Sequence, residues 1–366
     1  MSLRLAGGVF DTGDADDEFT ELRRLVDDIG KRSFDARVGQ RRRPEPFDDA
    51  LWETLEETGL ARLTSTPDLG AGPAEMAVVL RGLACHAAAV PIAETDLLAG
   101  WLAGEAGVAT PESGALTLAL CRAEFNGSRI AGVASEVPWT RAAAAVLLAA
   151  EIDDGVYVGA LEPDDIRVDD GHNLAGEPRD RVSFDVAVGS LRRLDPSVGE
   201  QLRRRGALAR CVQVLGSLDA AAELTVAHTR EREQFGRPLS KFQAVQHALA
   251  AMAGAIETAR AAATLAVAAA AEYGFAAEQT EYAVAVGKVA LGGAVRPVTT
   301  IAHQLHGAIG ATAEHPLWLA TLRAHSWSTE FGRPVEYART LGRMALAAAS
   351  KPKALWDLMI GNFGDR

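Results

Sequence analysis

The sequence has few cysteines, and they form no pattern that binds a metal ion. Cys85, Cys121 and Cys211 lie far apart, none belongs to a Cys-x-x-Cys pair, and none has a pair of histidines close by in the sequence. An odd number of isolated cysteines predicts neither a disulfide framework nor a zinc site. We therefore expect free thiols in a reducing cytoplasm, and no metal.

Positive charge is also in short supply. The chain has 37 lysines and arginines against 49 acidic residues, which gives a formal net charge of −12. Affinity for nucleic acids comes largely from Lys and Arg side chains that neutralise phosphates. A nucleic-acid partner is therefore not expected.

Signals for export and for membrane insertion are lacking as well. Residues 1–30 carry acidic side chains throughout, without the basic segment and apolar stretch of a secretory signal. The alanine-rich runs at 142–150 and 261–271 are far shorter than the roughly twenty residues that cross a bilayer. These features predict a cytoplasmic protein with no membrane partner.

What the sequence does have is apolar residues, 48% of its 366, which is enough for a globular core in two or three domains. Between 17 and 110, apolar residues recur at the spacing of helices with one buried face. Between 114 and 188, short apolar runs are separated by turn signals such as Asn126-Gly127 and Asp153-Asp154-Gly155, which predict hairpins. After Pro196 the alanine-rich segments predict long, closely packed helices.

The predicted fold is therefore α+β and mainly α. It has an N-terminal helical domain (1–112), a small antiparallel β domain (113–195) and a C-terminal helical bundle (196–366). The expected helices span 18–29, 47–58, 198–233, 242–273, 279–307 and 334–349, and the expected strands span 115–121, 144–152, 156–161 and 181–188.

Residues 229–239, Thr-Arg-Glu-Arg-Glu-Gln-Phe-Gly-Arg-Pro-Leu, join two of the bundle helices. Gly236 fits the left-handed position that ends a helix, and Pro238 cannot continue it. Helix termination does not explain the polar side chains around the joint, which could hold an anionic ligand. These are Arg232 and Gln234 before the stop, and Gln243 and Gln246 one helical turn apart after it.

A second segment, Gln304-Leu-His-Gly-Ala-Ile-Gly310, places two glycines within four residues after a helix. Glycines allow backbone N–H groups to approach an anion such as a pyrophosphate. Glycine also ends most helices for conformational reasons alone, so both interpretations stay open on this segment.

The order of the three domains and these two motifs resemble the acyl-CoA dehydrogenase family over about residues 17–350. The motifs are Arg-x-Gln-Phe-Gly-x-Pro-Leu-x-x-Phe-Gln-x-Val-Gln from Arg232 and Gln-x-His-Gly-x-x-Gly from Gln304. The resemblance implies an FAD-dependent flavoenzyme, usually a dimer of dimers. Its reaction is oxidation of the Cα–Cβ bond of an acyl-CoA thioester, with an electron-transfer flavoprotein as acceptor.

In this family a neighbouring subunit completes the binding site for the ADP half of each FAD. The resemblance implies that Arg232 contacts the FAD pyrophosphate, and the Arg fork suits phosphate by geometry as well as charge. The remaining residues that the resemblance assigns to FAD lie along the adenosine or close over the pyrophosphate: Gln234, Phe235, Gln243, Gln246, Gln304, Gly307, Ala308 and Gly310.

The family's catalytic base is less well matched. In most members a Glu directly precedes a Gly in the stretch after the glycine loop, but this sequence reads Thr329-Glu330-Phe331-Gly332. One residue is about 100° around a helix, enough to move a carboxylate off the substrate. A minority of members carry the Glu on the helix before Arg232, where this sequence has 203–206, Arg-Arg-Arg-Gly. Glu330 is thus the one candidate base.

The β domain departs from the family in a similar way. The common Thr-Glu-Pro and Gly-Ser pattern is replaced by residues 121–128, and 133–144 resembles the flavin-lining segment only loosely. Three hypotheses follow. The chain is a companion subunit of a heteromeric acyl-CoA dehydrogenase, as in some actinobacterial members acting on steroid-derived esters; or a homomeric enzyme that uses Glu330; or a flavin-free scaffold with the same fold.

Overall fold

A computed structural model describes residues 19–39, 44–349 and 356–357, and begins with a helical domain. Its helices are α1 (Thr20–Arg37), α2 (Asp49–Glu57), α3 (Pro73–Cys85) and α4 (Trp101–Ala106), and α4 continues a π-helical turn over Glu94–Gly100. The Asp48 carboxylate caps α2 by accepting from the Leu51 N–H at 3.1 Å. Pro73 opens α3, where proline needs no partner for its missing N–H.

The middle domain is a mixed seven-stranded sheet in the order β5-β6-β2-β1-β3-β4-β7. Hairpins form at Asn126-Gly127 and at 153–155, where the sequence predicted them. The strands are β1 (Leu116–Asn126), β2 (Arg129–Pro138), β3 (Ala145–Ile152), β4 (Gly155–Leu161), β5 (Ile166–Asp169), β6 (Arg179–Ala187) and β7 (Arg192–Leu194).

The predicted antiparallel sheet is wrong at one pairing, because β1 and β3 run parallel. The cause lies in the length of β1. Its second half, from Ala123 to Asn126, pairs with β2, which leaves its first half, from Leu116 to Arg122, open to β3. β2 runs back along one side of β1. The next strand, β3, lies on the other side of β1 and runs in the same direction as β1, so these two strands pair in parallel.

The C-terminal domain is a helical bundle. Its helices are α5 (Ser197–Glu231), α6 (Gln243–Tyr273), α7 (Glu278–His306), α8 (Leu317–Trp327) and α9 (Pro334–Ala349). Two-residue strands, β8 (Glu233–Gln234) and β9 (Arg237–Pro238), form a tight hairpin between α5 and α6. The sequence analysis predicted the four long helices and missed the short α8.

Helix α5 runs through the centre of the molecule, and every residue from 206 to 221 is buried. Small residues make this possible. A Cβ at Gly216 would lie 2.4 Å from the backbone oxygen of Arg81 in α3, so the two helices touch at their backbones. The N-terminal helices and the bundle consequently share one apolar core.

The sheet has an apolar core of its own and packs a second face against α4 and the start of α5, through residues such as Leu102, Leu147 and Leu202. The stretch Glu278–Ala311 is long and apolar enough to cross a membrane, but half of its most apolar window is buried inside the bundle. A buried core helix meets the same criterion as a membrane span. The three domains therefore meet around the first half of α5.

We predict that Gly216→Ala lowers the free energy of unfolding by about 1–3 kcal/mol, because the new methyl group collides with backbone rather than with a flexible side chain. Urea unfolding measures the change. The matched control is Gly254→Ala in α6, where nothing lies within 4 Å of the new Cβ. Removing an exposed helical glycine there should raise the free energy by about 0.5–1 kcal/mol. Equal effects at both positions would contradict the close packing of α3 and α5.

Candidate active site and cofactor surface

Arg232 lies at the exposed end of α5. Its backbone N–H donates to the His228 oxygen and its own oxygen accepts from the Leu239 N–H, both at 2.8 Å. Its side chain is exposed, and its guanidinium has no hydrogen bond or ion pair with any residue in the described ranges. The backbone is thus fixed while the guanidinium stays available to a ligand.

The hairpin that follows presents an aromatic ring to solvent. Phe235 and Gly236 form its two-residue turn with φ of 54° and 76°, and the Phe235 side chain is 93% exposed. Gly236 therefore serves the hairpin rather than ending α5, which stops four residues earlier at Arg232. The guanidinium carbon of Arg237 lies 4.2 Å from the centre of the Phe242 ring, and this contact stabilises the hairpin.

The glycine loop begins where α7 ends. Gln304, Gly307 and Ala308 are exposed, and Gly307 has a φ of 65° that favours glycine. Gly310 is buried instead. A Cβ there would lie 2.7 Å from the His306 Cβ, so packing explains this glycine without a ligand.

Gln243 and Gln246 lie in the first turn of α6, next to the hairpin, and both are exposed. The Gln246 amide donates to the Ser240 oxygen at 3.1 Å. The structure therefore leaves Gln243 open to a ligand, whereas Gln246 already stabilises the start of its own helix.

Three histidines that the sequence analysis did not single out join the two motifs. The His228 ring, one turn before Arg232, stacks on the His306 ring with centroids 4.5 Å apart, and His315 contacts His306 edge-on at 4.6 Å. The ends of α5 and α7 are thereby held together. Arg232 and the glycine loop consequently lie at the same end of the bundle.

The same cluster has ring nitrogens within 4.8 Å of one another, as in some metal sites. However, the His228 and His306 rings lie within 22° of parallel, and parallel rings do not direct their in-plane lone pairs to one point. The His306 Nδ1 also donates a hydrogen bond to the Ala302 oxygen at 2.8 Å. In this arrangement the cluster packs the two helix ends together.

Burial lowers the pKa of His228, His306 and His315, and the proximity of the rings lowers the pKa of His228 and His315 further. The folded protein therefore holds neutral rings that the unfolded chain would protonate. We predict that the free energy of unfolding falls as pH drops below about 6.5, the ordinary histidine pKa. His315→Gln should make this dependence shallower in urea unfolding followed from pH 8 to 5.

The exposed His247 provides the control for this measurement. His247→Gln should leave the pH dependence of the wild-type protein in place. An unchanged slope in His315→Gln would show that the cluster does not contribute to it.

A cavity of about 450 Å³ lies where the sheet meets the bundle. Its walls come from β2, the start of α5, the 330–332 segment and α9. Two of the regions in which the sequence departs from the family, 133–144 and 329–332, thus face each other across one space. The lining residues include Ser135, Glu136, Val137, Pro138, Arg203, Glu330, Phe331, Gly332 and Tyr337.

Phe331 occupies the position at which most members of the family carry their base. Its ring packs directly on Gly206, where a Cβ would lie 2.4–2.5 Å from the ring carbons. Phe331 has a φ of 52°, and its oxygen accepts from the Tyr337 hydroxyl at 2.8 Å. Gly206 belongs to the helix stretch in which a minority of the family carries its base. Here it offers no side chain, and the Phe331 ring covers it.

Glu330, the predicted base, is held between two arginines. Arg179 donates to it through Nε at 3.0 Å and Nη2 at 3.2 Å, and Arg210 donates through Nε at 2.7 Å. Burial alone would raise the pKa of Glu330, but the two guanidiniums outweigh it and lower the pKa to about 2. Such a carboxylate accepts a proton too weakly to serve as a general base near neutral pH.

The ion pairs continue from Glu330 into all three domains. Arg210 also pairs with Glu94 of the π-helical turn, and Arg179 pairs with Glu177 at 3.4 Å. Glu177 accepts from the Trp327 indole at 2.8 Å. We call these residues, Glu94, Glu177, Arg179, Arg210 and Glu330, the junction network. No local pattern in the sequence indicates it, since its members are scattered from 94 to 330.

Glu330→Gln should lower the free energy of unfolding by about 3–5 kcal/mol, because it leaves two buried guanidiniums without their shared partner. The contribution of Glu330 is present above its unfolded pKa of about 4.3 and is lost as pH falls towards 2, so the difference between the proteins should shrink in acid. Urea unfolding at pH 7 and pH 4 measures it.

Glu257→Gln is the control, since Glu257 forms an exposed pair with Arg260. Its effect should stay within about 1 kcal/mol. A Glu330→Gln protein as stable as this control would contradict a structural role for the junction network.

Comparison with known proteins shows what the chain is similar to. Residues 202–333 match the family model for the acyl-CoA dehydrogenase C-terminal domain. Acyl-CoA dehydrogenase IpdE2 of Mycolicibacterium smegmatis is 32% identical over 135 residues, 37% of this chain and 40% of that protein. Acyl-CoA dehydrogenase FadE27 of Mycobacterium tuberculosis is 26% identical over 341 residues, 81% of this chain and 88% of that protein.

Among solved structures, a variant of the Tcur3481-Tcur3483 steroid ACAD superposes with a TM-score of 0.81 at 26% identity, covering 91% of this chain and 99% of that one. The helical domain, mixed sheet and helical bundle are therefore those of an acyl-CoA dehydrogenase fold. Residues 202–333 thus match the C-terminal domain of acyl-CoA dehydrogenases, and the described chain shares the fold of that family. Against IpdE2, the matched segment is less than half of the relative's length.

Proposed function

We propose that this chain is the companion subunit of a heteromeric acyl-CoA dehydrogenase. In this role it supplies the surface that binds the ADP half of an FAD, and its partner supplies the catalytic base. The observation that carries the proposal is the Phe331 ring packed on Gly206, in the cavity where a base would have to lie.

The cavity offers no other group suited to taking a proton from an acyl-CoA. Glu330 is held as an anion by Arg179 and Arg210. Glu336 lies at the edge of the cavity, is exposed, and accepts from the Arg333 N–H at 2.9 Å at the start of α9. Glu136 is also exposed, on a backbone with a φ of 59°. A base for α-proton abstraction needs a position within hydrogen-bond reach of the substrate.

The exposed surface around Arg232 is better suited to binding part of an FAD than the cavity is to catalysis. A free guanidinium at Arg232 and an exposed loop at Gly307–Ala308 can bind a diphosphate, and Gln304 lies one turn before that loop. The exposed Phe235 ring can pack along an adenosine. A bound FAD would supply the acceptor for the hydride that leaves Cβ of the acyl thioester. This chain would hold and orient the cofactor from outside, towards the partner's substrate.

The similar proteins support the proposal of a heteromeric acyl-CoA dehydrogenase. The superposed Tcur3481-Tcur3483 steroid ACAD carries two protein names, and IpdE2 and FadE27 are mycobacterial acyl-CoA dehydrogenases. We infer an acyl-CoA substrate for the complex, a tetramer built from this chain and a related subunit, an electron-transfer flavoprotein as electron acceptor, and a cytoplasmic location.

The homomeric alternative requires Glu330 to leave both arginines and turn into the cavity past Phe331. Separating a buried carboxylate from its partners costs about 3–5 kcal/mol and leaves Arg179 and Arg210 without the carboxylate that they share. The flavin-free scaffold requires that the exposed Arg232 and Phe235 have no ligand. The flavin content of the chain, alone and with a partner, separates the three hypotheses.

We predict that the purified chain is colourless alone and that co-expression with its catalytic partner yields a yellow complex with one flavin per pair of chains. Arg232→Met should reduce the flavin content of that complex, because it removes the diphosphate contact without shortening the side chain greatly. Flavin is measured by visible absorption against total protein, and complex formation by size-exclusion chromatography.

Arg230→Met, an equally exposed arginine on the same helix end, is the control and should retain flavin. A chain that binds one flavin by itself and is bleached by an acyl-CoA would contradict the companion role and favour the homomeric enzyme. A flavin-free complex with every partner tested would favour the scaffold.

A further inference from the structure

A second cavity, of about 370 Å³, lies between the helical domain and the bundle. It is bounded by the turn before α3, by one side of α4, by the start of α5 and by the turn between α6 and α7. Its lining shares no residue with the cavity beside Phe331. Neither the proposed cofactor surface nor the acyl-CoA chemistry accounts for it.

Arg205 lines this cavity and lacks a partner. Its Nε is buried without an acceptor, and no described residue forms a hydrogen bond or ion pair with its guanidinium. The two arginines before it in the sequence are both paired, Arg203 with Glu151 and Arg204 with Glu281. An uncompensated, partly buried cation is unfavourable unless something at the site balances it.

Two aromatic rings lie against the guanidinium of Arg205. Its carbon lies 3.9 Å from the centre of the Trp101 ring and 4.1 Å from the centre of the Phe275 ring. These contacts stabilise the charge but satisfy none of its N–H donors. The donors of the fork therefore have no acceptor among the described residues. A planar fork approached at the edge is complementary to two coplanar oxygens, which is the geometry of a carboxylate.

Other groups at the cavity agree with an anionic head. The Ser65 hydroxyl lines it, is buried beside the Asp96 carboxylate and can donate a hydrogen bond. The nearby Asp96 carboxylate is occupied by the backbone N–H groups of Thr64 and Ser65. Glu105 lies at the edge of the cavity but is exposed, so water screens its charge.

The pKa of Arg205 reflects the missing partner. Burial lowers it to about 9, and the charges of Glu105 and Asp96 offset this only in part. Most of the remaining lining is apolar or small, which suits an apolar body behind the charged head. These residues are Ala71, Gly72, Pro73, Leu97, Gly100, Gly104, Ala270 and Gly274.

We propose that this cavity binds a small organic carboxylate with an apolar body. Arg205 binds the carboxylate through its edge, Ser65 donates a hydrogen bond, and the apolar lining covers the hydrocarbon. This inference does not depend on flavin or on a partner subunit.

The test uses sodium acetate, butyrate and hexanoate at constant ionic strength, with chloride as the reference anion, and measures the Tm of the purified chain and binding by calorimetry. Butyrate and hexanoate should raise the Tm saturably and more than acetate, because ligand bound only to the folded state stabilises it. Arg205→Met should weaken butyrate binding by about tenfold or more, given the strength of hydrogen bonds to charged groups. Ser65→Ala should weaken it less.

Arg203→Met is the matched control, since it removes another arginine of the same run, one that pairs with Glu151, and it should retain the butyrate shift. If Arg205→Met fails to fold, Arg205→Lys tests the same point, because it keeps the charge but loses the fork and should still weaken binding. Butyrate no better than chloride in the wild-type chain, or equal butyrate affinity in the Arg205 variant, overturns the proposal. An equal response to inorganic phosphate overturns the carboxylate assignment.

Discussion

The structure depends on one buried interaction, the Glu330 carboxylate held between the guanidiniums of Arg179 and Arg210. Arg179 comes from the sheet, while Arg210 and Glu330 come from the bundle, and Arg210 also pairs with Glu94 of the helical domain. Burying charges is unfavourable unless each is compensated, so the domains can close only in the arrangement that completes the pairs. The same pairs fix Glu330 as an anion. A carboxylate held in this way is poorly suited to take a proton from a substrate.

This constraint separates the two parts of the molecule that the family uses for chemistry. Inside, the space beside Phe331 is shaped by packing and ion pairs, and its buried carboxylate, Glu330, is held by Arg179 and Arg210. Outside, Arg232, Phe235 and the glycine loop carry little of the fold, since their side chains or backbone face solvent. The surface around Arg232 can bind a ligand without disturbing the fold, whereas the charged residues of the interior stabilise the fold. This division suits a protein that completes another subunit's site.

Local patterns in the sequence predicted most of the fold. The helix at Pro334–Ala349 has its predicted ends, and the hairpin at Asn126-Gly127 forms where turn chemistry required it. Long-range pairings were not predictable in this way. The parallel contact of β1 with β3 depends on how β1 is shared between two neighbours, and Glu330 and Arg179 are 151 residues apart. For the site, the shift of Glu330 by one position indicated a lost base, but only the structure shows what the carboxylate binds instead.

A single continuous helix, α5, carries Arg210 of the junction network and ends at Arg232 on the cofactor surface. The 22 residues between them correspond to about 33 Å of helix, and a tilt of about two degrees at one end would displace the other by about 1 Å. Because α5 is buried along its central part, it transmits such a tilt as a rigid lever. The packing of the domains around Arg210 and the position of the Arg232 side chain are therefore coupled through α5. A substitution in the interior can displace a ligand at Arg232 without touching it.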